Sequence, residues 1–167
     1  MDPFLLWLEA TSLSTWVREA TTVFAFPAIL SCHTVGMGLS AGINAALALR
    51  ILGAARGIPI HEMKRFFPVM WFGFWLNFVS GVVLLIAYPT KALTNPVFYL
   101  KLTLVAIAVA LVRPITRRVF RDPTPNHDVT AGRRVKTLAI ASLACWAGVI
   151  TSGRLLAYTY SRLMQGL

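Results

Sequence analysis

Four long stretches of the chain are almost free of charged residues, and this feature constrains the fold more than any other. They cover about residues 22–49, 67–88, 97–112 and 137–160. A helix needs about 20 mainly apolar residues to cross the hydrocarbon core of a bilayer. Because backbone polar groups must be paired inside lipid, helices are the natural way for such segments to span it. The sequence therefore predicts an integral membrane protein with four spans.

The composition favours the same environment. Only 13% of the residues are charged and the mean hydropathy is +0.68, whereas about a quarter of the residues are charged in a soluble domain. A net charge of +10 would suggest nucleic acid in a soluble chain, but no basic-aromatic motif accompanies it here. We expect a lipid bilayer as the surrounding medium and no nucleic-acid partner.

Turn-forming residues separate the spans. Gly53 and Pro59 follow the first span, Pro96 precedes the third, and Pro114 is expected to end the third helix. An even number of spans with short connections predicts an all-α fold, an integral membrane antiparallel four-helix bundle, in a single transmembrane domain over residues 1–167.

Ahead of the first span, the segment LSTWVREATTVFAFP predicts a short N-terminal interfacial helix. Trp7 and Trp16 would lie at the level of the lipid headgroups, where amphipathic aromatic rings are favoured.

Basic residues are distributed unevenly between the connections. Eleven of the sixteen Lys and Arg residues lie in the connections after the first and third spans. Short loops rich in Lys and Arg stay in the cytoplasm. Both termini are therefore expected on the outer side of the membrane.

Three ionisable residues lie at a similar depth in the predicted bundle. At about 1.5 Å rise per residue, His33 lies roughly 25 Å and Arg154 roughly 27 Å above the inner surface. Lys101 lies roughly 7–8 Å below the outer surface by the same measure. No acidic residue occurs within the spans. The two cations therefore either extend to the headgroups or meet an anionic or polar ligand.

Helical spacing places further polar residues beside these three. His33, Met37, Ser40 and Asn44 share one face of the first span, and Tyr158 shares a face with Arg154 on the fourth. Gly38 and Gly42 have the small-xxx-small spacing that allows helices to approach closely.

A neutral imidazole can ligate haem iron or copper, or hydrogen-bond a quinone. The candidate cofactor-binding residues are His33, Met37, Lys101, Arg154 and Tyr158, with His33 as the metal ligand. Met37 lies one turn from His33 on the same helix, so it cannot reach the opposite face of a haem. The sequence leaves haem b, a quinone, copper and no cofactor as alternatives.

Motifs for nucleotide-driven or hydrolytic chemistry are absent from the sequence, and we assign no catalytic residue. The leading hypothesis is a redox-associated membrane subunit that binds haem b or a quinone in the outer half of the bundle. The alternatives are a non-catalytic accessory subunit of a larger membrane complex and a copper-handling membrane protein.

Several segments resemble a family of four-helix bacterial inner-membrane proteins of uncharacterised activity. They are FAFPAILSCHTVGMGLSAG, FFPVMWFGFWLNFVSGVVLLIAYP, NPVFYLKLTLVAIAVAL and SLACWAGVITSGRLLAY. The piece NPVFYLKL is also similar to the membrane domain of copper-resistance D (CopD-like) proteins. The resemblance implies a multi-pass protein of the bacterial inner membrane. In that membrane the outer side, on which the Lys and Arg distribution places both termini, is the periplasm. It also implies copper handling or b-type haem, with His33, Lys101 and Gly153-Arg154 as motif positions.

The chain departs from this family at two places. Relatives often carry an acidic residue three positions before the first-span histidine, where this chain has Leu30. They also often have a histidine near the end of the third span, where this chain reads VRPITRR. If those groups form a redox site in the relatives, their replacement here favours an accessory role.

Overall fold

A computed structural model describes residues 3–54, 57–120 and 132–165, with side chains up to residue 156. Within these ranges the chain forms seven α-helices and no strand, which confirms the all-α prediction. A 3₁₀ helix, Ile60–Phe66, leads directly into the fourth α-helix. The α-helices are α1 (Pro3–Glu9), α2 (Ser12–Glu19), α3 (Phe26–Leu52), α4 (Phe67–Ala87), α5 (Pro89–Leu93), α6 (Pro96–Val119) and α7 (Arg133–Gln165).

Four helical segments of the described chain are long and apolar enough to cross a membrane: α3, the 3₁₀ helix with α4, α6, and the described start of α7. Their outward surface is strongly apolar. On α4 alone Phe72, Trp75 and Phe78 are 63%, 57% and 52% exposed. Such a continuous exposed apolar surface suits lipid rather than water. The chain is a membrane protein with transmembrane helices.

The long helices are not packed evenly around the bundle. α4 packs along α3, α3 against α7, and α7 along α6. The backbones of α4 and α6 approach each other at isolated points at most in the described residues. We call the end that holds the 3₁₀ helix and the C-terminus of α6 the basic end, and the end that holds α5 the opposite end.

The helices α3 and α4 come very close together at Gly36 on α3 and Gly73 on α4. A Cβ atom added at Gly36 would lie 2.6 Å from the backbone nitrogen of Asn77 and 2.7 Å from the carbonyl oxygen of Gly73. Gly38 and Gly42 are exposed instead, and a Cβ at either would meet nothing within 4 Å. The small-xxx-small spacing of Gly38 and Gly42 permits a close approach, but in the described chain it does not mark a contact between helices, because spacing alone does not say which face of a helix meets its neighbour.

The third span is longer than its sequence predicted. α6 continues through Pro114 to Val119, although proline removes one backbone hydrogen bond. Beyond the proline, Ile115 and Val119 are buried and pack with Met63 in a core at the basic end. Burial of these side chains favours continuation of the helix. In membrane helices generally, proline is tolerated because neighbouring groups pair with the backbone atoms that it frees.

Two short helices precede the first span, where one was expected. On α2, Val17 is fully buried and Ser14 donates its hydroxyl hydrogen to the carbonyl oxygen of Ala87, with 3.3 Å between the oxygens. Arg18 donates to the carbonyl oxygen of Glu9 at 2.7 Å, which ties α2 to α1. α2 therefore packs on the end of α4 at the opposite end of the bundle.

Candidate functional site

His33 points from α3 towards α4 and is held there by three hydrogen-bonding groups. Its Nδ1 lies 3.0 Å from the carbonyl oxygen of Asn77 and 3.2 Å from the hydroxyl oxygen of Ser80. The Asn77 side chain in turn donates to the carbonyl oxygen of His33 at 2.7 Å. Since a carbonyl oxygen only accepts, the ring proton is assigned to Nδ1, and Nε2 keeps its lone pair.

Lys101 reaches this lone pair from α6. Its Nζ lies 3.4 Å from His33 Nε2, so the ammonium donates to the neutral imidazole. The contact links α3 to α6, whose backbones are not among the closely packed helix pairs. It also gives an intramembrane cation a partner in bundle helices that contain no acidic residue.

Two glycines leave space for these side chains. A Cβ at Gly81 on α4 would lie 3.1 Å from His33 Cε1, which is tighter than an ordinary contact. A Cβ at Gly153 on α7 would lie 3.9 Å from the Nζ of Lys101. All four long helices therefore contribute to the surroundings of the pair. The predicted motif position at Gly153 thus lies beside Lys101.

The other predicted site residues do not join this contact in the described structure. Ser40 and Asn44 are buried on the inner face of α3. Met37 is partly buried and packs against a central core cluster on α6 and α7. Arg154 is exposed, and the side chain of Tyr158 lies outside the described residues. Of the three ionisable residues expected to meet, the structure brings His33 and Lys101 together.

The potential soft-metal ligands near His33 are also dispersed. Cys32 is exposed, whereas His33 turns towards α4 and Met37 towards the central cluster. Over the described ranges, no group of three or more His, Cys, Asp or Glu side chains is arranged to hold a metal ion.

A second polar feature lies at Trp146 on α7. Trp146 is 5% exposed and packs with Ala41, Ala108 and Val149 in the central cluster. Its indole Nε1 is buried and has no hydrogen-bond partner in the part of the chain that the structure describes. A buried donor left unpaired is unfavourable by about 1–3 kcal/mol.

Replacing Trp146 with phenylalanine should therefore change stability little. The variant keeps an aromatic ring in the cluster but removes the unpaired donor, so we expect a free energy of unfolding within about 1 kcal/mol of the original. Trp146→Ala leaves a cavity and should lose about 3–5 kcal/mol. Unfolding in mixed micelles, followed by circular dichroism, measures both. A loss in Trp146→Phe as large as in Trp146→Ala would mean that the indole N–H has an important partner.

Together these features define a four-helix membrane protein with a histidine–lysine contact between its helices. No family model, no curated protein and no solved structure matches the chain.

Proposed function

We propose that this protein is a redox-associated subunit of the bacterial inner membrane that binds a quinone head group beside the His33–Lys101 pair. The observation that carries the proposal is the 3.4 Å contact between Lys101 Nζ and His33 Nε2. Lys101 is thereby held inside the bundle as a hydrogen-bond donor. Its hydrogen-bonding partner, His33, is neutral, so this contact does not compensate the positive charge of Lys101.

The ammonium of Lys101 has N–H groups that remain available to a ligand. It carries three N–H groups, and His33 is its one hydrogen-bonding partner among the described residues. Cations inside a membrane usually pair with an anion or a polar group. A quinone carbonyl oxygen is an acceptor of this kind, and its apolar ring and tail are soluble in the surrounding lipid.

The packing of the helices supports entry of such a ligand from the side. Because the backbones of α4 and α6 are not closely packed along their length, the proposal takes the ligand to approach Lys101 from the lipid between these two helices. The opposite end is partly covered by α2, through the contacts of Ser14 and Val17. This arrangement favours a ligand that arrives from the bilayer.

Each residue of the pair has a distinct role in the proposal. The backbone carbonyl oxygen of Asn77 accepts a hydrogen bond from the Nδ1–H group of His33. This bond holds the ring with its Nε2 towards Lys101. Lys101 donates a hydrogen bond to the carbonyl oxygen of the ligand. His33 accepts a hydrogen bond from another N–H group of the same ammonium, and this contact keeps Lys101 inside the bundle. A bound quinone would supply two-electron, two-proton redox chemistry beside a side chain that holds a proton.

Haem b is the second candidate, and one observation favours it. An N–H bond from His33 to a backbone carbonyl is the arrangement that commonly orients a metal-binding histidine. However, the remaining ring nitrogen already faces Lys101 at 3.4 Å. Iron could bind there only after Lys101 moved away, whereas a quinone can bind with the pair intact. The geometry therefore supports a quinone better.

The test is a titration of the detergent-purified protein with short-chain ubiquinone and menaquinone analogues, followed by quenching of tryptophan fluorescence. We expect saturable binding of at least one analogue. Lys101→Met should weaken it at least about tenfold, which corresponds to about 1.4 kcal/mol. Lys91→Met is the matched control, because Lys91 lies on α5 at the same end of the bundle and contacts the Tyr88 ring. It should bind as the unchanged protein does.

Two results would contradict the quinone proposal. One is an affinity for both analogues that Lys101→Met leaves unchanged. The other is a Soret band in the purified protein that His33→Ala removes, since this would assign His33 to haem. An absorption spectrum with and without dithionite therefore accompanies the titration.

A further inference from the structure

An open groove lies at the basic end of the bundle, far along α6 from Lys101. It has a volume of about 690 Å³. The 3₁₀ helix and the start of α4 form one side, and the last turns of α6 form the other. Its lining residues are Lys64, Phe67, Thr116, Arg117 and Phe120.

The groove is positively charged. Lys64 and Arg117 contribute two cations, and none of the lining residues within the described ranges is acidic. Glu62 is the acidic residue on the 3₁₀ helix, and it contacts Arg65 at 3.2 Å and His61 at 3.5 Å. Neither cation of the groove forms an ion pair with another described residue. The groove therefore has two positive charges available for an anionic ligand.

Aromatic rings form the rest of the wall. Phe67 and Phe120 meet edge to face, with 5.6 Å between the ring centroids. The ammonium of Lys64 lies 5.4 Å from the centroid of the Phe120 ring, a cation–π distance that holds the charge at the groove. The ligand should therefore offer both a negative charge and an apolar body.

The position of the groove indicates where that ligand comes from. Phe67 is the first residue of the apolar helix α4, and Arg117 lies in the last turn of α6. The groove is thus at the boundary between the apolar spans and the basic connections. Lipid phosphates lie at this level, and basic pockets between membrane helices bind anionic lipid headgroups.

We propose that this groove binds the phosphate group of an anionic phospholipid. Lys64 and Arg117 contact the phosphate from two separate chain segments, while the Phe67 and Phe120 rings contact the glycerol and the first acyl carbons. Since this groove involves neither His33 nor Lys101, the proposal is independent of quinone binding.

Native mass spectrometry of the detergent-purified protein tests the proposal, with phosphatidylglycerol and phosphatidylcholine of the same acyl chains as probes. We expect a bound phosphatidylglycerol and little phosphatidylcholine. The double variant Lys64→Gln/Arg117→Gln should lose this preference at least about tenfold, because each cation near an anionic headgroup contributes about 1 kcal/mol. Lys64 and Arg117 are both exposed, so the variant should retain its fold, which a thermal melt verifies.

The matched control is Arg133→Gln/Arg134→Gln. It removes the same charge from the start of α7, where the two arginines are exposed and do not line the groove. Retention of phosphatidylglycerol by the control and its loss from the groove variant support the proposal. Equal loss from both variants would indicate a general charge effect and overturn it. Displacement of the lipid by millimolar inorganic phosphate would overturn the lipid as occupant and assign the groove to free phosphate.

Discussion

Replacing Gly36 with leucine is expected to prevent α3 and α4 from packing together. A Cβ at this position would lie 2.6 Å from the nitrogen of Asn77 and 2.7 Å from the oxygen of Gly73, both backbone atoms of α4. Backbone cannot move aside as a flexible side chain can, so the helices must separate. We expect a loss of about 3 kcal/mol or more, at the upper end of overpacking. Unfolding in mixed micelles and the yield of monodisperse protein measure it.

Gly38→Leu is the matched control on the same helix. Gly38 is exposed and a Cβ there meets nothing within 4 Å, so its stability should change by no more than about 0.5 kcal/mol. Both variants add the same apolar side chain to the same membrane helix, and they differ in the face that they alter. Equal stabilities of the two variants would refute the packing of α3 on α4 through Gly36 and Gly73.

The second large effect is expected from His33→Leu. This change removes the acceptor of the Lys101 ammonium, which then has no hydrogen-bond partner among the described residues. It also frees the carbonyl oxygen of Asn77 from its bond with Nδ1. An unpaired buried donor costs about 1–3 kcal/mol, and more when it is charged. We expect a fall in the free energy of unfolding of about 2 kcal/mol, measured in the ligand-free protein.

The decisive measurement is the double variant His33→Leu/Lys101→Met. His33 and Lys101 are partly buried, and removing both partners of such a pair is less unfavourable than removing one. The double variant should therefore be more stable than His33→Leu alone. Because one partner is charged, the coupling should exceed the average of about 0.6 kcal/mol for hydrogen bonds between membrane helices. Additive effects of the single changes would mean that the two side chains do not interact.

The comparison of the two single variants with the double variant also separates the structural role of the His33–Lys101 pair from its proposed binding role. A contact that only ties α3 to α6 would give the coupling, but quinone affinity would not depend on Lys101. The proposed function requires both the coupling and a quinone affinity that depends on Lys101. The groove at Lys64 and Arg117 should retain the lipid proposed for it in the His33 and Lys101 variants, since it lies at the other end of the bundle.

The architecture was largely predictable because it depends on properties of local segments. Length and hydropathy place four apolar helices, and the described structure contains four such candidates. The predicted ends were less accurate. Pro114 is a strong local signal for a helix end, yet Ile115 and Val119 continue the helix because they are buried against Met63. That burial depends on the 3₁₀ helix, which is distant in sequence.

The site was predictable only in part. Depth along the helices correctly brought His33 and Lys101 to one layer, because rise per residue is fixed. Depth does not determine rotation, and Arg154 lies on an exposed face of α7. The roles of Gly36 and Gly81 depend on which residues of α4 and α3 lie opposite them, and a single sequence does not contain that register.

The sequence by itself determined that the chain enters a membrane as four helices with few charges inside. Hydrophobic burial and backbone pairing act on each segment separately, so no neighbouring helix is needed for that result. Tertiary structure decided which glycines meet a helix, which cation meets the imidazole, and where Lys64 and Arg117 form a groove. Those outcomes depend on the rotation and pairing of helices, which are set by side-chain contacts between segments distant in the chain.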